Sequence, residues 1–231
     1  MRPIGFSTGA LAKGDFARGL DLQRSLATAV ELSALRDHEL RTLVDAIPHL
    51  ELHDFAYASL HAPSRLHSVE ERDVFAMLDD VPSTWPIVAH PDLLQTPTLW
   101  RRLGARLCLE NMDDRKSNGR TVDELRALFD VYPDATFCLD LGHARQIDRS
   151  MAEAELMLRT FGSRLRELHV SEVGPRGEHL PMSAETRDAF SRLAPLVPQA
   201  CAMIVEAVVG EDDVRRELEA VSAVFAESAP R

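Results

Sequence analysis

The sequence contains no run of about 18 apolar residues, so no segment reads as a membrane-crossing helix. Its first residues, MRPIGFSTGAL, lead directly into strand-like sequence without the apolar stretch of a signal peptide. No CxxC pair is present. The three cysteines, Cys108, Cys138 and Cys201, each fall inside an apolar strand-like segment. That pattern argues for buried, reduced thiols and a cytoplasmic setting, against a disulfide framework or a thiolate metal site. GxGxxG and Walker sequences are missing too, which removes the commonest phosphate loops of open α/β sheets. Basic runs are also lacking: 37 acidic residues face 26 basic ones, for a formal net charge of −11. Non-specific nucleic-acid binding leans on Lys and Arg neutralising phosphates, so this balance disfavours it. No Pro-, Gly- or Ser-rich linker interrupts the chain and no repeat exceeds its strand–helix alternation. One domain spanning 1–231 is expected.

What the sequence does have is a regular alternation of short apolar strands and amphipathic helices, which reads as βα units around a parallel sheet. Strands are expected near residues 3–8, 28–33, 57–62, 86–91, 106–111, 135–141, 165–171 and 201–208. Ser68 with Glu71, Thr121 with Glu124 and Ser150 with Glu153 have capping-box spacing. Leu125, Leu128 and Phe129, or Val214, Leu218 and Val221, recur at helical intervals. Eight such units favour a single closed (β/α)8 TIM barrel, whose active sites gather at the carboxyl ends of the strands. Side chains alternate along a strand. If Glu110 points inward, so do Cys108 and Arg106, and Glu167 lies below His169; Arg106 and Glu167 are therefore expected to pair in the core.

Six of the strands end in a residue able to bind a metal. These are His61, His90, Glu110, Asp140 with His143, His169 and Glu206, and His179 follows in the loop after the seventh strand. Imidazole and carboxylate together suit zinc, manganese, cobalt or iron. The other four histidines, His38, His49, His53 and His67, lie on helices or loops without such a pattern and read as structural. Further polar residues near strand ends are candidates for substrate contacts. Lys116, Arg115 and Arg145 could hold a phosphate or carboxylate, and Glu31 a substrate hydroxyl or Arg36. Asn111 could orient Glu110. Trp85 and Trp100 read as packing residues.

The segments LHAP at 60–63, AHP at 89–91, LEN at 109–111, LDLGH at 139–143, LHVSE at 168–172, EHLP at 178–181 and VE at 205–206 occur in this order. Together they resemble the strand-end signatures of the xylose isomerase-like TIM barrels, which include sugar phosphate isomerases and epimerases and endonuclease IV-like proteins. The resemblance covers nearly the whole chain. It implies one divalent metal on Glu110, Asp140, His169 and Glu206, with Glu110 and Glu206 as acid and base around an enediolate of a small sugar-like or keto substrate. The endonuclease IV-like branch implies up to three ions, adding His61, His90, His143 and His179, for hydrolysis of a phosphodiester. Its members carry an Asp two positions before the last histidine, where this chain has Gly177; that departure puts a third ion in doubt. An iron-dependent biosynthetic enzyme and a non-catalytic metal-binding barrel are the remaining alternatives.

Overall fold

All eight expected strands form in the computed structural model, which describes residues 2–226. They are Ile4–Phe6 (β1), Ala29–Ser33 (β2), Tyr57–His61 (β3), Ile87–Ala89 (β4), Leu107–Glu110 (β5), Thr136–Asp140 (β6), Leu165–Val170 (β7) and Ala202–Val205 (β8). Each pairs in parallel with its neighbours, and β8 returns to lie beside β1. The seam between β1 and β2 is the loosest part of the ring. It is held by a Ser7–Glu31 bridge and by Thr28 N–H donating to the Ile4 carbonyl at 2.8 Å. The Gln23 side-chain amide completes the seam, accepting from Phe6 N–H at 2.7 Å and donating to the Phe6 carbonyl at 3.2 Å. Gly5 lets the strands approach here, since a Cβ at this position would sit 1.7 Å from the Ala29 carbonyl oxygen.

Strand alternation divides the buried residues as the period of two requires. Leu107, Leu109, Phe137, Leu139, Leu168 and Val170 face outward and join the main core with the helix stripes, including Leu125, Phe129, Leu218 and Val221. Val88, Cys108 and Cys138 face inward as a separate apolar cluster. Glu167 is also interior, with no exposed surface, but Arg106 does not reach it. Arg106 precedes the first residue of β5 and escapes the alternation. Its guanidinium donates to the carbonyls of Trp85 at 3.1 Å and Val81 at 3.2 Å, at the foot of the barrel. Glu167 is satisfied instead by the Tyr57 hydroxyl and His169.

The capping boxes are also corrected. Thr121 does accept from Glu124 N–H at 3.3 Å, but Glu124 reaches back to Arg120 N–H. Helix Glu71–Leu78 is capped from Glu70, and Ser68 bonds to Asp37; helix Ala152–Phe161 follows Met151 at φ 66°, with Asp148 accepting from Glu153 N–H. A two-stranded hairpin, Glu172–Val173 with His179–Leu180, was not foreseen. It stands after β7 and carries His179 to the upper face.

Candidate metal centre

The LDLGH segment shows how sequence builds this site locally. Asp140 ends β6 and caps helix Leu141–Ile147, its Oδ1 accepting from His143 N–H at 2.7 Å. That bond fixes the carboxylate so that Oδ2 projects onward without a hydrogen-bond partner. Gly142 makes the bend compact; a Cβ there would lie 2.7 Å from the Ser171 carbonyl oxygen. Asn111 supports the same corner from β5. Its side chain donates to the Asp140 carbonyl at 2.9 Å and accepts from Asp140 N–H at 2.7 Å. The Asn111 side chain therefore braces Asp140 and is fully buried.

Glu110 is the hub. Its Oε2 lies 3.1 Å from Nε2 of both His61 and His90, and its Oε1 lies 3.2 Å from His143 Nδ1 and 3.6 Å from His169 Nδ1. Two ligand groups share it. One comprises His61, His90 and Glu110; the other comprises Glu110, Asp140, His169 and Glu206, each with donor atoms within 4.8 Å of one another. His169 Nδ1, facing the second group 3.6 Å from Glu206 Oε2, has no hydrogen-bond partner, like Asp140 Oδ2. Two orphaned, buried donor atoms converging beside two carboxylates are what a cation would satisfy. The residues fit a divalent metal.

His169 is turned to present Nδ1 by groups below it. Its Nε2 lies 3.1 Å from Glu167 Oε1 and 3.2 Å from Glu31 Oε2, and all three residues are fully buried. Glu31 is thus a partner of His169, 138 positions away, and is neither paired with Arg36 nor open to a substrate. His179 stands on the other side, with Nδ1 2.9 Å from Ser171 Oγ and 3.3 Å from Glu206 Oε2.

The electrostatics follow from burial set against this density of opposite charges. Burial opposes the imidazolium at His61, but Glu31 and Glu110 outweigh it and hold the group at about 9. His143 is held at about 10 by Asp140 and Glu110 against the same opposition. Burial alone dominates at His90 and His179, which are pushed down. Glu110 is held well below the carboxylate range, because His90 and His169 overcome its burial. Glu206 moves the other way: burial, reinforced by Asp140 and Glu110, raises it to about 8.

Above the cluster opens a cavity of about 410 Å³, lined by His61, His90, Glu110, His143, His179 and Glu206 at its floor. Asp140 and His169 complete the cluster beneath. Of the polar residues expected near a substrate, Glu31, Asn111, Lys116 and Arg145 do not line the cavity. Glu31 and Asn111 are buried under the strand ends, Lys116 is ion-paired to Asp92, and Arg145 turns outward to Glu185 at 2.6 Å. Arg115 does line the cavity, gripped through two guanidinium nitrogens by Asp113. A Cβ at Gly177, whose φ is 78°, would meet Arg115 Nη1 at 1.7 Å. The glycine therefore makes room for a cation where the endonuclease IV-like pattern has an acid. Lys13, Ser7, Ser33 and Ser64 also line the walls; as single residues on loops and strand ends they carry no sequence pattern. The exception is Lys13, whose place beside Gly14 marks a turn.

No family model and no curated protein matches this chain. Solved structures resemble it over nearly its whole length. A sugar phosphate isomerase/epimerase from Parabacteroides distasonis matches with a TM-score of 0.53 at 14% identity, covering 98% of this chain and 95% of its own. The 3-keto-D-glucoside 4-epimerase of E. coli gives 0.53 at 12%, covering 97% and 99%. Dihydropteroate synthase from Yersinia pestis gives 0.54 at 15%, covering 96% and 91%. The fold these structures share with the chain is the (β/α)8 barrel, as the strand–helix alternation led us to expect. A synthase matches equally well, so the reaction has to be argued from the site.

Proposed function

We propose that this chain is a divalent-metal-dependent enzyme that isomerises or epimerises a small molecule at a carbon beside a carbonyl. The observation that carries this reading is the convergence of Glu110, Asp140, His169 and Glu206 from four successive strand ends onto one point below a cavity. These four residues would hold the metal, which when bound would supply Lewis-acid polarisation of a substrate carbonyl. Glu206 is the carboxylate suited to move the proton. Its side chain keeps 15% of its surface exposed, against 1% for Glu110, and it lines the cavity. His179 lies beside Glu206 Oε2 and is the nearest group to exchange a proton with it. Glu110, ringed by imidazole nitrogens, acts in this reading as ligand more than as acid or base. The cavity volume suits a small substrate.

A dinuclear hydrolase is the second reading, favoured by the His61–His90–Glu110 group, which would take a second ion with Glu110 as the bridge. Elemental mass spectrometry on tag-free protein, paired with two assays, separates them. Solvent deuterium entering hydroxy-aldehydes and hydroxy-ketones supports isomerase chemistry. Turnover of bis-p-nitrophenyl phosphate with two ions per chain supports the hydrolase instead. Protein that takes up no divalent metal after reconstitution refutes both.

A further inference from the structure

Lys13 occupies a backbone conformation that a lysine has no local reason to adopt. It follows the short helix Thr8–Ala12 after β1, with φ 56° and ψ −124°. Asp15 N–H donates to the Ala12 carbonyl at 3.1 Å across it. This is a type II′ turn with Lys13 at the first central position, where glycine is the residue without steric cost. Gly14, next along, would have served that need from one position earlier. Strain of this kind is retained where the surrounding structure uses it.

The use is visible in the cavity. Lys13 and Arg115 are the lysine and arginine that line it among the described residues. Arg115 is neutralised by Asp113. Lys13 has no ion pair or side-chain hydrogen bond among the described residues; the Asp15 carboxylate of its own turn accepts from Arg18 N–H at 3.0 Å, and Glu39, beside Gly14, accepts from Arg36 N–H at 3.1 Å. The walls beside Lys13 are short or apolar, with Ala10, Ala34 and Ala62, and the rim carries the exposed Leu35 and Val208. Among the described residues no aromatic ring besides imidazole lines the cavity, so they offer no stacking platform for a neutral sugar face. Hydroxyls of Ser7, Ser33 and Ser64 and the Lys13 ammonium are the polar groups offered at that end.

We propose that Lys13 is the specificity-determining residue of the cavity and that its ammonium receives the carboxylate or phosphate of a small anionic substrate. The substrate's opposite end would reach the histidine and carboxylate floor, a placement that rests on the function proposed above.

The test compares three probes sharing one three-carbon skeleton: glycerol, glycerate and glycerol 3-phosphate. Their affinities are measured calorimetrically for wild type, Lys13→Gly and Lys13→Met, with metal content determined on each preparation. Wild type should bind at least one anion about tenfold tighter than glycerol, and both variants should lose that preference. Which anion wins distinguishes carboxylate from phosphate. Lys13→Gly should also melt higher, by about 2 °C, because relief of the turn outweighs the added chain entropy. A wild type that binds all three probes alike overturns the proposal. So does a preference that survives in both variants, since a bound metal could then account for it. Lys13-dependent preference in protein that takes up no metal sustains this proposal while refuting the metalloenzyme reading; metal uptake with a Lys13-independent preference does the reverse.

Discussion

Two sides of the barrel interior are built on opposite principles. On β4, β5 and β6 the inward residues below the strand-end cluster are Val88, Cys108 and Cys138, all fully buried and needing no polar partner. On β2, β3 and β7 they are Glu31 and Glu167 around His169, with the Tyr57 hydroxyl reaching Glu167 from the foot of β3. The sides touch, for Cys138 and Glu167 are register partners. Barrel interiors are filled by apolar side chains without difficulty, whereas each buried carboxylate costs several kcal/mol before compensation. Nothing in the fold requires the polar side. What it does is aim His169 Nδ1 at the strand-end cluster, so it is tied to the site and the apolar side to the scaffold.

The comparison is tested most severely at Glu110, where both ligand groups meet. Glu110→Gln should lower metal affinity by more than the roughly 100-fold typical of supporting residues, and turnover with it. Competition titration against a chelating dye reads this directly; affinity within tenfold of wild type would mean Glu110 is no hub. Glu167→Gln comes next. Loss of a carboxylate behind a ligating imidazole should weaken metal binding by about 10- to 100-fold. Stability at neutral pH should hold or rise, because burial raises the Glu167 pKa and so makes its ionisation a burden above the unfolded carboxylate value. A variant that binds metal normally yet unfolds more easily would place Glu167 with the scaffold.

Asp37 sharpens the contrast from outside the barrel. It too is a buried carboxylate, but it accepts from the backbone N–H of His67, Ser68 and Val69 at 2.6, 2.6 and 3.0 Å, tying down the loop after β3. Those bonds overcome burial and depress its pKa. A depressed carboxylate contributes fully above its unfolded pKa of about 4 and loses that contribution as pH falls through the folded value. Asp37→Asn should therefore cost about 2 kcal/mol at pH 7, and progressively less below about pH 4. Urea unfolding at several pH values checks both; a cost that does not change with pH would show that charge is irrelevant there.

These two kinds of buried carboxylate also mark how much was legible in advance. Strands and the histidines and carboxylates at their ends are readable because apolar runs and helix stripes repeat locally, and His61, His90, Glu110, Asp140, His169 and Glu206 all sit where such runs stop. Arg106 was misplaced because alternation was carried one residue beyond the start of β5. Glu31 and His169 are 138 positions apart, and only closure of the ring brings them to 3.2 Å. Arg115 over Gly177 is likewise a contact between loops, which no periodicity encodes. Local pattern specifies elements; partnership across the barrel appears only once the elements are assembled.

The smallest expected effect on metal affinity belongs to the apolar side. Val88→Ala removes two methyl groups from a position with no exposed surface. Transfer and cavity contributions together should cost about 2 kcal/mol, or about 4–8 °C in Tm for a chain of this size. Metal affinity should stay within about twofold, since Val88 packs with Cys108 and Cys138 and donates nothing to the cluster. Val88 is nevertheless the register partner of His61 and lies two residues before His90, so a backbone shift would travel to both. Paired melting and metal titration therefore decide more than a packing cost. If affinity falls with stability, the apolar side positions ligands as the polar side does, and the division of the interior into scaffold and site breaks down.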